Sequence, residues 1–323
     1  SRGLGDVYKR QVVEGISMPT HLPFKPGDFK MSLDLDRIDE EDWFETDPSY
    51  DTKHQLQEKT KLFAERRSEV FQSTEEAHHA SSEIFDCVVR YLLSHAPDLY
   101  THGIASGLIP PRGVENWQDY VNLGGEGHPL EVASRLVTED LLLMFPGDQS
   151  SSAYEEFAWR LKAGSLAFPA GWSLIEMIQR GTIGIHERVP GYDTSLGDQV
   201  DRLFYSLKPE RLVSRLNWSL TRYQDLFRLH GKFEQEKSPE ITASNVGSKI
   251  WLRVERQTFR KLPSSGAVVF GIRTHMHRLE DVITESDVAE DLSGAIKALP
   301  EDLLRYKSMQ VFVDPCLEWL SAV

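Results

Sequence analysis

A chain of 323 residues with 50 acidic and 36 basic side chains has a net charge of -14, which argues against nucleic acid or an anionic membrane surface as the main partner, because both attract clustered Lys and Arg. Forty per cent apolar and 27% charged residues suit a globular protein with a substantial core, and no apolar run is long enough to cross a bilayer. Cys87 and Cys316 form neither a CxxC motif nor a disulfide framework, so a soluble cytoplasmic protein is expected.

In chain order, residues 1–11 (SRGLGDVYKRQ) resemble a translated sequencing-adaptor remnant. Residues 1–20 are therefore set aside as non-native or disordered, and 21–323 are treated as one domain. Residues 21–50, broken by Pro23, Pro26 and Pro48, read as an ordered arm that wraps the domain. A helix over 52–70 carries Leu56, Leu62, Phe63 and Val70. A second helix, with Ser73 or Thr74 as its cap, carries Ile84, Val88, Tyr91 and Leu92 and ends before Pro97. Gly124, Gly125 and Gly127 lie in a loop that meets no phosphate-binding pattern.

Helices are expected over 130–145 and 153–162, a strand over 165–172, a short helix over 173–180 and a strand or extended turn over 184–189. Helices follow over 195–207 and 216–227, then a polar loop over 234–240. The chain closes with helices over 279–299, 301–306 and 308–320.

Between these lies the clearest signal, two β-rich runs, 250–262 and 267–276, flanking the turn Pro263-Ser264-Ser265-Gly266. Alternation places Trp251, Arg253, Glu255 and Gln257 on one face of the first strand, opposite Leu252 and Val254. Phe270, Ile272 and Thr274 share a face of the second, opposite Gly271, Arg273 and His275. Long helices at both ends with strands between predict an α+β fold, an antiparallel sheet embraced by N- and C-terminal helices.

The string LRVERQTFRKLP followed by SGAVVFGIRT closely resembles a signature of the heme-dependent oxidative N-demethylase family, which includes the α subunit of dimethylamine monooxygenase. FKPGDFKMSLDLDRIDEEDWFETDPSY, VTEDLLLM, SLAFPAGW, IHERVPGY and Asn217-Trp218 extend the resemblance over roughly residues 21 to 320. It implies a PAS-like sheet that holds heme b, and a monooxygenase that uses O2 to convert a small methylated amine to the demethylated amine and formaldehyde. The alternatives are a non-catalytic heme-binding PAS-like sensor and a scaffold subunit. No flavin, nicotinamide or iron-sulfur motif is evident, so the electrons are expected from NADPH through a partner reductase carrying flavin or an iron-sulfur cluster.

The resemblance also nominates residues. His186 matches a family histidine and is implied as the axial heme ligand, with His275 and His102 as alternatives; His78 and His79 sit on a polar helix face and read as solvated. Arg253, Arg256 and Arg273 are candidates for the heme propionates, although Arg256 lies on the opposite strand face from Arg253 unless a bulge intervenes. Trp172, Phe168, Ile183, Ile185, Val269 and Phe270 are candidate walls. Glu255 is the first choice to bind the substrate ammonium, ahead of Glu139 and Asp140, its other reading being a structural ion pair with a neighbouring Arg.

Two departures stand out. Met177 occupies a place where the family pattern resembles lysine, and Phe270-Gly271-Ile272-Arg273-Thr274-His275 replaces a string resembling FTIRTY, exchanging a phenol for His275 and opening space at Gly271.

Overall fold

The computed structural model describes residues 21–24, 27, 29–47, 50–97, 101–102, 108–109, 127–230, 232–233 and 240–323. The expectations for residues 1–20, for Gly124 and Gly125 and for 234–239 lie outside them.

The strands are β1 (Asp36–Ile38), β2 (Phe71–Ser73), β3 (Thr101–His102), β4 (Leu108–Ile109), β5 (Asp140–Phe145), β6 (Arg160–Ser165), β7 (Leu212–Thr221), β8 (Trp251–Lys261) and β9 (Val268–Arg278). Seven of them form one sheet in the order β1-β7-β8-β9-β5-β6-β2, and β3 pairs with β4. Every pairing in the large sheet is antiparallel. Together with the helices at both ends, this makes the chain an α+β protein, as the sequence predicts.

Side-chain alternation divides the sheet into two faces with different cover. On the back face, Leu141, Leu143, Ala163 and Val269 pack against the helices α1 (Tyr50–Val70), α2 (His78–His95) and α3 (Pro129–Leu136). The arm joins this core through Trp43 and Phe44, each contributing about 1.5–3 kcal/mol by burial. Further along the same face, Leu220, Leu252 and Val254 pack on the C-terminal helices Ser286–Ala298 and Val313–Leu320. The N- and C-terminal helices thus share the back face. The front face carries Leu142, Met144, Val213, Phe259 and Ile272 under a cover from the middle of the chain, including Leu174, Met177 and Phe204.

Five expectations need correction. The helix expected over 130–145 stops at Leu136, and Asp140–Phe145 is a central strand. A short apolar run buried on both faces has no periodicity to separate strand from helix. The helix expected over 153–162 is a single turn, Tyr154–Phe157, leading into β6, and the strand expected over 165–172 lies earlier, at Arg160–Ser165. Residues 216–227 are not helical: β7 runs through Asn217 and Trp218, and the alternation of Arg215, Asn217 and Ser219 with Leu216, Trp218 and Leu220 is the period-two signal. The strand or extended turn expected over 184–189 is instead a helical turn, Thr182–Ile185, capped by His186. Thr74 precedes a short 3-10 turn but makes no side-chain cap bond.

Candidate heme and amine site

β8 is the spine of the front face. It pairs with β9 over its whole length and with β7 from Trp251 to Phe259, without a bulge. Glu255 therefore lies level with Asn217 on one side and Thr274 on the other. Its carboxylate accepts from Arg253 Nε at 3.2 Å, Asn217 Nδ2 at 3.2 Å and Gln257 Nε2 at 3.1 Å. Burial acts to raise its pKa, but the charge of Arg253, the Asn217 bond and the charge of Lys232 outweigh burial and hold the carboxyl below its usual range. Arg253 is fixed in turn by the Phe168 carbonyl, 2.6 Å from Nη2, and by Thr274 Oγ1 at 3.3 Å.

Beside Arg253 a small pocket is lined by Ser219, Arg228, Lys232, Lys307 and Phe312. Burial first, then the neighbouring positive charges, pushes Lys232 down to about 7, and burial pushes Lys307 down to about 8. Lys307 donates to the Trp218 carbonyl, and Lys232 lies 4.7 Å from the centre of the Tyr306 ring.

His186 reaches the front face from the Thr182–Ile185 turn. Its ring stacks on Tyr192, with centroids 4.1 Å apart and planes 12° apart. Nδ1 lies 2.8 Å from the Thr182 carbonyl oxygen. A carbonyl only accepts, so Nδ1 carries the proton and Nε2 keeps the lone pair. Burial pushes His186 down to about 4, assisted by the charge of Arg215. A neutral ring with an oriented, unprotonated Nε2 is the donor that heme iron takes. Nearby, the Tyr192 hydroxyl and Arg215 Nε are buried with no hydrogen-bond partner, polar atoms that a bound polar group would satisfy.

Asp201 anchors the turn that carries His186. Its carboxylate accepts from Thr182 Oγ1 at 2.7 Å, Tyr154 OH at 2.5 Å and the Trp159 N–H at 2.9 Å. Gly197 permits the close approach, because a Cβ there would stand 2.6 Å from Ile183 Cγ1.

The structure brings only some of the nominated residues together. Arg253, Glu255 and Thr274 share the front face, and Trp172, Ile185 and Phe270 pack around its apolar part. Arg256 and Arg273 pair across the strands on the back face. Arg256 donates to the carbonyls of Asp42 and Trp43, and Arg273 to Gln55 and Thr52. Phe168 and Val269 belong to the back-face core.

Glu139 accepts the Glu45 N–H, and Asp140 accepts the N–H groups of Ala167 and Phe168 and lies 3.5 Å from Lys59 Nζ. Both carboxyls are thus already committed to protein partners. His275 is also on the back face, against Glu45. The space expected at Gly271 is filled by Thr258, whose Oγ1 would lie 2.6 Å from an added Cβ, and Met177 is an apolar side chain in an apolar core. Arg215, Lys232, Lys307 and Tyr192 were not singled out by sequence; reading β7 as a strand would have placed Arg215 beside Asn217.

A family model described as haem-dependent oxidative N-demethylase, alpha subunit-like, matches residues 34–317. The chain belongs to this family. Membership in the haem-dependent oxidative N-demethylase, alpha subunit-like family fits the donor set found on the front face: one neutral imidazole, a cationic rim and a carboxylate. Among the described residues no helix is long and apolar enough to cross a membrane.

Two half-buried histidines set an acid limit. His186 and His277 are both pushed by burial from 6.5 to about 4. Between those values the unfolded chain binds protons that the folded chain does not, so stability is full above about 6.5 and falls as the pH drops towards 4. Glu255, held below its usual range, adds loss of the same sign at lower pH. The urea midpoint is expected to be lower at pH 5 than at pH 7.5; an unchanged midpoint would show that these rings are not buried as described.

Proposed function

We propose that this chain is the heme-binding, oxygen-activating component of an amine monooxygenase that N-demethylates a small secondary methylamine such as dimethylamine. On this reading the sheet is a PAS-like sheet adapted to hold heme b. The observation that carries the proposal is His186, whose Nδ1 is committed to the Thr182 carbonyl and whose Nε2 keeps its lone pair, with the buried, unpartnered Tyr192 hydroxyl and Arg215 Nε nearby. His186 would hold the iron, and Arg253, Lys232 and Lys307 are the front-face cations suited to the propionates.

Bound heme supplies O2 activation and the oxidation of an N-methyl carbon. O2, two electrons and two protons convert the N-methyl group to a carbinolamine and release water. The carbinolamine then breaks down to formaldehyde and the demethylated amine. The electrons come from NADPH through a reductase carrying flavin or an iron-sulfur cluster, in keeping with a family described as alpha subunit-like.

Glu255 gives the substrate ammonium a buried counter-charge. A carboxylate held below its usual range is a weak base, so its part is to bind and orient the cation. Lys232, at about 7, is the neighbouring group able to take up a proton near neutrality. Glu255→Gln keeps the size and one acceptor oxygen but removes the charge. It is expected to raise the amine concentration needed for a spectral response by roughly tenfold or more, matching about 1.5–3 kcal/mol for a charged hydrogen bond, with heme content intact. Heme loss with unchanged amine affinity would overturn this role.

A further inference from the structure

The back face of β9 holds a group that the front-face chemistry leaves unused. His275 projects from β9 at the seam between the two back-face cores, where the arm crosses the sheet. The arm contributes His21 and Glu45. His21 Nε2 lies 2.7 Å from Glu45 Oε1, His275 Nε2 lies 2.8 Å from Glu45 Oε2, and the two rings meet edge to face at 5.3 Å.

One ligand atom from each of the three residues lies within 4.8 Å of the others. A small side-chain adjustment brings that spread to the separations set by bonds of about 2.0–2.2 Å to one ion. Glu45 Oε2 and His275 Nε2 are both buried, and although close they lack the alignment of a hydrogen bond. Both atoms therefore keep bonding capacity that an ion bound beside them would use.

We propose that His21, Glu45 and His275 bind one divalent first-row transition ion. Two imidazoles and one carboxylate, two from the arm and one from β9, match the two-histidine, one-carboxylate donor set of such ions, which leaves further coordination positions open. The three side chains are 14–22% exposed, so an ion can enter from solvent.

Arg273 and Arg256 also approach Glu45, at 3.5 and 3.8 Å. Their terminal nitrogens are committed to Gln55, Thr52 and the Asp42 and Trp43 carbonyls, so neither guanidinium caps the carboxylate bidentately. Glu139, which accepts the Glu45 N–H at 2.9 Å, places a second carboxyl beside the two arginines. Burial lowers the pKa of His275 and so favours the neutral ring that ligates metal. An ion here would tie the arm to β9 one residue away from Thr274, which faces Arg253 on the front.

The test uses the full heme-loaded chain, stripped with a chelator and titrated with zinc, with bound zinc counted per chain. The expected result is one zinc in the wild type and at least roughly tenfold weaker binding in Glu45→Gln and His275→Gln, with the Soret band unchanged and zinc binding retained in His277→Gln. If Glu45→Gln does not fold, His21→Gln, which alters only the arm, carries the same expectation. No stoichiometric zinc in the wild type, or equal affinity in all variants, would overturn the proposal. Because the readout is zinc and not turnover, it is independent of the amine-oxidation reading.

Discussion

His186→Ala is expected to leave a folded chain with little heme. Loss of a second-sphere partner typically costs about 10–100-fold in metal affinity, so loss of the ligand itself should cost at least that. Heme taken up per chain should fall more than about tenfold, and most of the Soret absorbance with it. The fold should survive, because the turn is held by Asp201 through Thr182, Tyr154 and Trp159 rather than by the imidazole. Circular dichroism beside the optical spectrum separates the two effects. A full Soret band of unchanged position in His186→Ala would remove this residue from the site.

Asp140→Ala is expected to produce the largest loss of stability. Lys59 is fully buried, donates to the carbonyls of Ser134, Val137 and Glu139, and lies 3.5 Å from Asp140 Oδ1. Burial opposes its charge, and Asp140 and Glu139 oppose that effect. Removing Asp140 strands the ammonium and frees the N–H groups of Ala167 and Phe168. Breaking one side of a buried pair costs about 3–5 kcal/mol, a large share of the ~5–15 kcal/mol that holds a typical protein folded. Lys59→Met with Asp140→Ala should recover part of the loss, since no buried charge is then unpaired. Urea unfolding of the wild type, the single variant and the double variant measures this. A loss below about 1 kcal/mol in the single variant would show that the pair is not ionised as drawn.

The hairpin was legible because its alternation is strict and its turn chemistry strong. It placed Arg253 and Glu255 on one face and Arg256 on the other, and the unbroken β8 register kept them there. β5 was not legible as a strand, because Leu141, Leu142 and Leu143 are buried between neighbours on both sides. Misreading β7 as a helix hid Arg215 and the true setting of Asn217. His186 stood out through its motif, but the bond that fixes its tautomer comes from Thr182, four residues back in a helical turn. Lys232 and Lys307 join the site from distant segments, and a single sequence carries no signal for such convergence. The seam of His21, Glu45 and His275 is a convergence of the same kind, its first and last residues standing 254 positions apart in the chain.

The most direct test of the amine-oxidation reading is an optical titration of the heme-loaded wild-type chain with dimethylamine, followed by formaldehyde measurement with an NADPH-driven reductase present. A Soret band that shifts saturably with the amine, followed by formaldehyde release, is the expected result. A chain that takes up no heme, or a Soret band indifferent to the amine with no formaldehyde formed, would contradict it.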